Sequence, residues 1–148
     1  MGWLGLGFLG SKSVSDSVLS ALDKSQAVIE FEPDGRVITA NTNFLTVMGY
    51  NLAEVQGLHH RMFVGSDYAS SGEYKAFWQC LNNNEFFVDE FLRFGKGGKE
   101  VWIQASYNPV IDKNGKLIKI VKFATDISEQ KKRDQEAAKT ADIARALD

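Results

Sequence analysis

The sequence predicts an α+β fold, a five-stranded antiparallel sheet with short helices grouped on one face, a cap helix before it and a long helix after it. Three observations predict it. Two short β-branched runs near the start are joined by a Pro-Asp-Gly turn. A stretch of short helical segments then ends at Asn82-Asn83-Asn84, where the apolar period changes from helical to alternating. Three strand-like runs follow, joined by Gly-containing turns, before a Gly- and Pro-free segment rich in Ala, Lys and Glu.

The elements follow in order. Residues 1–12 are apolar, but Gly2, Gly5, Gly7 and Gly10 disfavour a helix and no basic flank precedes them. They are expected to form a flexible arm, too short to insert in a membrane. From 13 to 24, Val14, Val18, Leu19 and Leu22 recur at helical spacing and predict the cap helix. Ala27–Phe31 and Val37–Ala40 read as a hairpin around Pro33-Asp34-Gly35. Thr42–Gly49 and Asn51–Gly57 are short helices stopped by glycine, His59–Phe63 continues the helical stretch, and Ser70–Leu81 carries Tyr74, Phe77, Trp78 and Leu81 on one face. Strands are predicted over 86–94, 101–111 and 117–123, the last two joined at Asn114-Gly115. The folded domain is placed at 25–128 and the final helix, exposed and in need of a coiled-coil partner, at 129–148.

Composition excludes several function classes. Seventeen Lys and Arg against nineteen Asp and Glu, interspersed, give a formal charge of −2 and no electrostatic footprint for nucleic acid. A single cysteine, Cys80, cannot form an internal disulfide, and no Cys/His cluster has zinc-ligand spacing, so a reducing cytoplasmic setting without a structural metal is expected. No catalytic triad, phosphate-binding loop or paired-carboxylate motif is present, and an enzyme is not expected.

The Asp34-Gly35 turn before Ile38, Ala40-Asn41 followed by Phe44, Met48-Gly49-Tyr50, the Gly95-Lys96-Gly97-Gly98 hairpin and Thr125-Asp126-Ile127-Ser128 before a helix together resemble PAS domains. More narrowly, 24–31, 57–63 and 102–109 look like the PAS modules of cytoplasmic methyl-accepting chemotaxis proteins and aerotaxis-type receptors. The resemblance implies a cytoplasmic sensor of redox, oxygen or energy state. It implies chemotaxis signalling proteins or its own output domain as the partner, with Asp126 and Ile127 carrying the signal into the final helix; the apolar arm at 3–9 and the Ala-rich final helix, both without intramolecular partners in the sequence pattern, predict a homodimer. A cofactor-free PAS dimerisation or interaction module is the alternative.

The resemblance also nominates a cofactor site for FAD, with haem b or no cofactor as alternatives. His59 and His60 lie in the short helix that lines PAS pockets, and His60 is similar in position to a histidine of flavin-type aerotaxis modules. Either is an axial haem ligand or flavin contact, or else one is a surface residue and the other a hydrogen-bonded, half-buried histidine. Arg61 is a candidate phosphate contact, although Val64-Gly65-Ser66 stands where flavin modules tend to carry basic and His residues. Trp78 either stacks on a flavin ring or fills the core. Phe44 and Trp102 are candidate pocket walls and Asn43 a candidate polar contact. Strand alternation, however, puts Trp102, Gln104 and Ser106 on the face opposite Ile103, Ala105 and Tyr107, so the two sets do not line one pocket.

Overall fold

A computed structural model describes the backbone of residues 2–147 and the side chains of 14–147. Helix α1 (Gly2–Ser25) leads into β1 (Ala27–Phe31) and β2 (Val37–Ala40). The short helices α2 (Thr42–Met48) and α3 (Leu52–Val55), a 3₁₀ turn (His60–Phe63), α4 (Ser66–Ala69) and α5 (Gly72–Asn82) cross over to β3 (Phe87–Phe94), β4 (Glu100–Ile111) and β5 (Leu117–Asp126). Helix α6 (Ser128–Leu147) ends the chain. The sheet order is β2-β1-β5-β4-β3, antiparallel throughout, which agrees with the five-stranded α+β expectation.

The flexible arm expected over 1–12 differs from the structure, in which α1 is continuous from Gly2. The side chains of that segment lie outside the described residues. Glycine propensity is a weak prior, and a helix nucleated downstream extends at a cost of only about 1 kcal/mol per glycine.

Local chemistry fixes the joints around the core. Asn41 caps α2, its Oδ1 accepting from the Phe44 and Val28 N–H groups at 2.9 Å each, while its Nδ2 donates to the carbonyls of Asp23 and Gln26. One side chain thus ties the end of α1 to β1 and α2, satisfying helix-terminal groups that would otherwise be orphaned. Asn51 and Glu54 form a reciprocal capping box on α3. Gly49 closes α2 in the left-handed conformation, at φ 79°. Gly95 opens the β3–β4 hairpin so close to α2 that a Cβ there would stand 2.5 Å from the Met48 carbonyl oxygen. The helices are thereby clamped over the inner face of the sheet, where Ile29, Phe31, Phe44, Val55, Phe63, Leu81, Val101, Tyr107 and Ile120 are at most 2 % exposed.

Candidate functional site

The inner face of β3, β4 and β5 carries three polar residues into this core by alternation. Arg93 follows Phe91, Tyr107 follows Ile103 and Ala105, and Lys122 lies between Ile120 and Ala124. Tyr107 and Lys122 are register partners on neighbouring strands. From the helical side comes His60, fully buried, whose backbone N–H donates to the Gly35 carbonyl at 2.8 Å. Gly35 is itself required there: its φ is +94°, and a Cβ would meet the His59 ring at 2.5 Å.

A continuous hydrogen-bond chain joins Arg93, Tyr107 and His60 and ends at Tyr74. The Arg93 guanidinium donates through Nε and Nη2 to the Tyr107 hydroxyl oxygen at 3.3 and 3.0 Å. With both lone pairs of that oxygen engaged, the Tyr107 O–H is free to donate to His60 Nε2, 3.0 Å away. That count assigns His60 as the neutral tautomer with its proton on Nδ1, which donates to the Tyr74 hydroxyl at 2.8 Å. Burial, and secondarily the positive charges of Arg93, Lys122 and His59, hold His60 well below the ordinary histidine range. Lys122 is likewise far below an ordinary lysine, by burial and the charge of Arg93. Tyr74 is pushed up to about 12, chiefly by burial.

Aromatic rings surround the chain. Phe31 and Trp78 stand edge-on to His60 with centroids 5.3 Å away, and Tyr74 stacks on it at 5.8 Å. Trp78 Nε1 is buried and finds no hydrogen-bond partner of good geometry, although Trp78 lies near enough to bias the titration of the Tyr74 hydroxyl. On the outside of this wall a groove of about 330 Å³ runs over His59, Arg61, Tyr74, Lys75 and Trp78.

The nominated residues fall in four places. His60, Phe44 and Trp78 lie in the core, and His59 and Arg61 border the outer groove. His59 Nδ1 accepts from the Arg61 N–H, and burial lowers its pKa. Asn43 lies apart, its amide capping the end of α1 through the carbonyls of Asp23, Lys24 and Gln26. Trp102 faces away from the core, as alternation predicts, and packs under Lys131 of α6, whose Nζ is 4.8 Å from its ring centroid. The seven residues therefore do not converge on one cavity. Nor does His60 as placed fit a haem iron, since both ring nitrogens are engaged by tyrosines. Cys80 is half-buried, its thiol pushed up by a hydrogen bond to Glu85.

Trp102 belongs instead to a junction. Its carbonyl accepts from the Ile127 N–H at 2.8 Å and its own N–H donates to Ser128 Oγ at 3.0 Å. Asp126 Oδ1 accepts from the Ser128 N–H at 2.9 Å. Lys131 also pairs with Glu90 of β3 at 2.8 Å. The first turn of α6 is thus fastened to β3 and β4, while its described residues include none that is buried.

Comparison with known proteins agrees with this architecture. The PAS fold family matches residues 37–124. The chain is 45% identical over 131 residues to the Biofilm dispersion protein BdlA of Pseudomonas aeruginosa, covering 88% of this chain and 31% of that protein. It is 25% identical over 124 residues to the Oxygen sensor protein DosP of Escherichia coli, covering 83% of this chain and 16% of that one. It therefore spans less than a third of these curated relatives. A solved light-oxygen-voltage domain studied with a flavin analogue superposes with a TM-score of 0.66 at 22% identity, covering 85% of this chain and 96% of that one. An RNA-binding light-oxygen-voltage receptor does so at 0.68 and 23%, covering 90% and 38%. Among the described residues no helix is long and apolar enough to cross a membrane, and no group of three or more His, Cys, Asp or Glu could hold a metal ion.

Proposed function

Because this chain belongs to the PAS fold family, we propose that it is the cytoplasmic sensory input module of a chemotaxis-type signalling protein, in which a change in the His60–Tyr107–Arg93 core is relayed through β4 and β5 into α6. The observation that carries this reading is the construction of β4. Tyr107 receives the core hydrogen bonds on one face, and five residues earlier Trp102 holds the first turn of α6 from the other. Two-state transmission needs a stiff path between site and output, and Asp126-Ile127-Ser128 joins β5 to α6 without a flexible linker. The biofilm dispersion relative, similar over most of this chain, supports a regulatory role.

In this reading the interior is closed by its own side chains when no ligand is bound, and the domain does no chemistry of its own. Self-association is supported by exposed apolar residues, Val14, Val18, Leu19 and Leu22 of α1 and Ile143 and Leu147 of α6. Hydrogen exchange tests the relay. His60→Gln, a change confined to the core, is expected to speed exchange at the amides of Ile127 and Lys131 at least several-fold, whereas unchanged protection there would reject it.

A second reading, a sensor loaded with FAD or haem, is supported by the oxygen-sensor relative and by the flavin analogue used on a solved neighbour. It asks His60 to release a tyrosine and Trp78 to swing aside. Absorption from 300 to 700 nm after supplementation with FAD and with haemin, oxidised and reduced by dithionite, separates the two. A bleaching flavin band or a shifting Soret band would establish the second, and a flat spectrum the first.

A further inference from the structure

Arg93 and Lys122 bring two cationic side chains into the core, 4 % and 1 % exposed, and the ion pairs of the described residues involve neither. An isolated buried cation is costly unless an anion or several hydrogen bonds answer it. Arg93 has part of that answer in the Tyr107 hydroxyl, the Leu92 carbonyl at 3.0 Å and the Phe91 ring at 4.7 Å. Among the described residues Lys122 meets ring faces, with Nζ 4.8 Å from the Tyr107 centroid and 5.9 Å from that of Phe44. Both side chains flank Tyr107, and the aromatic part of the core continues beyond them, Phe63 contacting Phe44 at 5.4 Å and Phe77 contacting Tyr107 at 4.9 Å.

We propose that this core is the binding site of a small apolar monocarboxylate, the carboxylate received between Arg93 and Lys122 and the apolar body among Phe44, Phe63 and Phe77. The inference rests on the sensory reading and supplies its ligand class. The wall to be crossed is marked by a second observation. Tyr74 and Trp78 are shared between the outer groove and the core, and Trp78 carries the buried indole N–H without a partner. The groove outside that wall carries Arg61 and Lys75 beside the carboxylate of Asp34. Burial and the charge of Arg93 hold Lys122 below an ordinary lysine, and a carboxylate seated beside Nζ would favour its charged form.

The test uses the whole chain, with benzoate and hexanoate as probes and benzamide and hexanol as neutral isosteres, at constant ionic strength. A saturable rise in melting temperature of about 3 °C or more is expected with the carboxylates, and less than a third of it with the isosteres. Lys122→Met should remove the rise without lowering the intrinsic melting temperature, because an apolar residue there relieves a buried charge. Arg93→Gln is the second variant, read in ¹H–¹⁵N spectra, where the carboxylate-induced shifts at Tyr107 and Lys122 should disappear. No rise, an equal rise with the isosteres, or a rise that survives in both variants would overturn the proposal. The same spectra keep the two ideas apart. Carboxylate shifts at residues 107 and 122 that leave Trp102, Ile127 and Ser128 unmoved would support the ligand and contradict the relay. Tyr107→Phe shifts at those three residues without any carboxylate effect would do the reverse.

Discussion

The two faces of β4 are built for different work from alternate residues of one strand. On the inner face Val101, Ile103, Ala105 and Tyr107 are buried, and Tyr107 belongs to the hydrogen-bond chain of the core. On the outer face Trp102, Gln104, Ser106 and Asn108 are half-buried or exposed, and their bonds go to a helix terminus and to neighbouring strand atoms. A bond broken on the inner face leaves a desolvated donor with no substitute, whereas one broken on the outer face is replaced by water. Stability is therefore concentrated on one side of the strand, and adjustable contacts with α6 on the other.

Tyr107→Phe should break the inner face hardest. It strips two Arg93 N–H groups of their acceptor and His60 Nε2 of its donor, at a cost of about 3 kcal/mol, or roughly 6–12 °C in melting temperature. Gln104→Ala on the opposite face should stay within about 0.5 kcal/mol.

Acid titration probes the same contrast. The folded pKa of His60 is depressed, so below about pH 6.5 the unfolded chain binds a proton that the native chain refuses. Stability falls as pH falls through that window, by up to about 1.4 kcal/mol per pH unit, until the folded pKa is reached. His59 is shifted in the same direction and adds to the trend. Urea unfolding at about pH 5 and 7 measures it, and His60→Gln should flatten the dependence.

Smaller effects belong to the junction. Ser128→Ala removes the acceptor of the Trp102 N–H and should cost about 1 kcal/mol, read as faster exchange at Trp102 and in the first turn of α6. Glu90→Gln breaks an ion pair whose Glu90 side chain is 45% exposed and should change stability by less than about 0.5 kcal/mol.

Much of this contrast was legible in the sequence. Hairpin signals, helix caps and the alternation of β4 placed the sheet, and that alternation had already separated Trp102 from Tyr107. The core chain is not apparent as a whole, because composition and motifs single out neither Arg93 nor Lys122. The available signal was alternation itself: Lys122 stands between Ile120 and Ala124, and Arg93 two residues after Phe91, which puts both on the apolar face. Asn43 resembled a ligand contact because nothing local reveals that the end of α1 folds back over it; that is a tertiary fact. His60 was recognised as either ligand or hydrogen-bonded histidine. The choice between them depends on Tyr74 and Tyr107, 14 and 47 residues away in sequence.

The relay from core to helix is the central claim, and one measurement meets it directly: ¹H–¹⁵N spectra of the wild-type chain and of Tyr107→Phe. Shifts are expected to run along β4 and β5 to Trp102, Ile127, Ser128 and the first turn of α6. Shifts confined to the neighbours of residue 107, with those amides and the Trp102 indole unmoved, would contradict it.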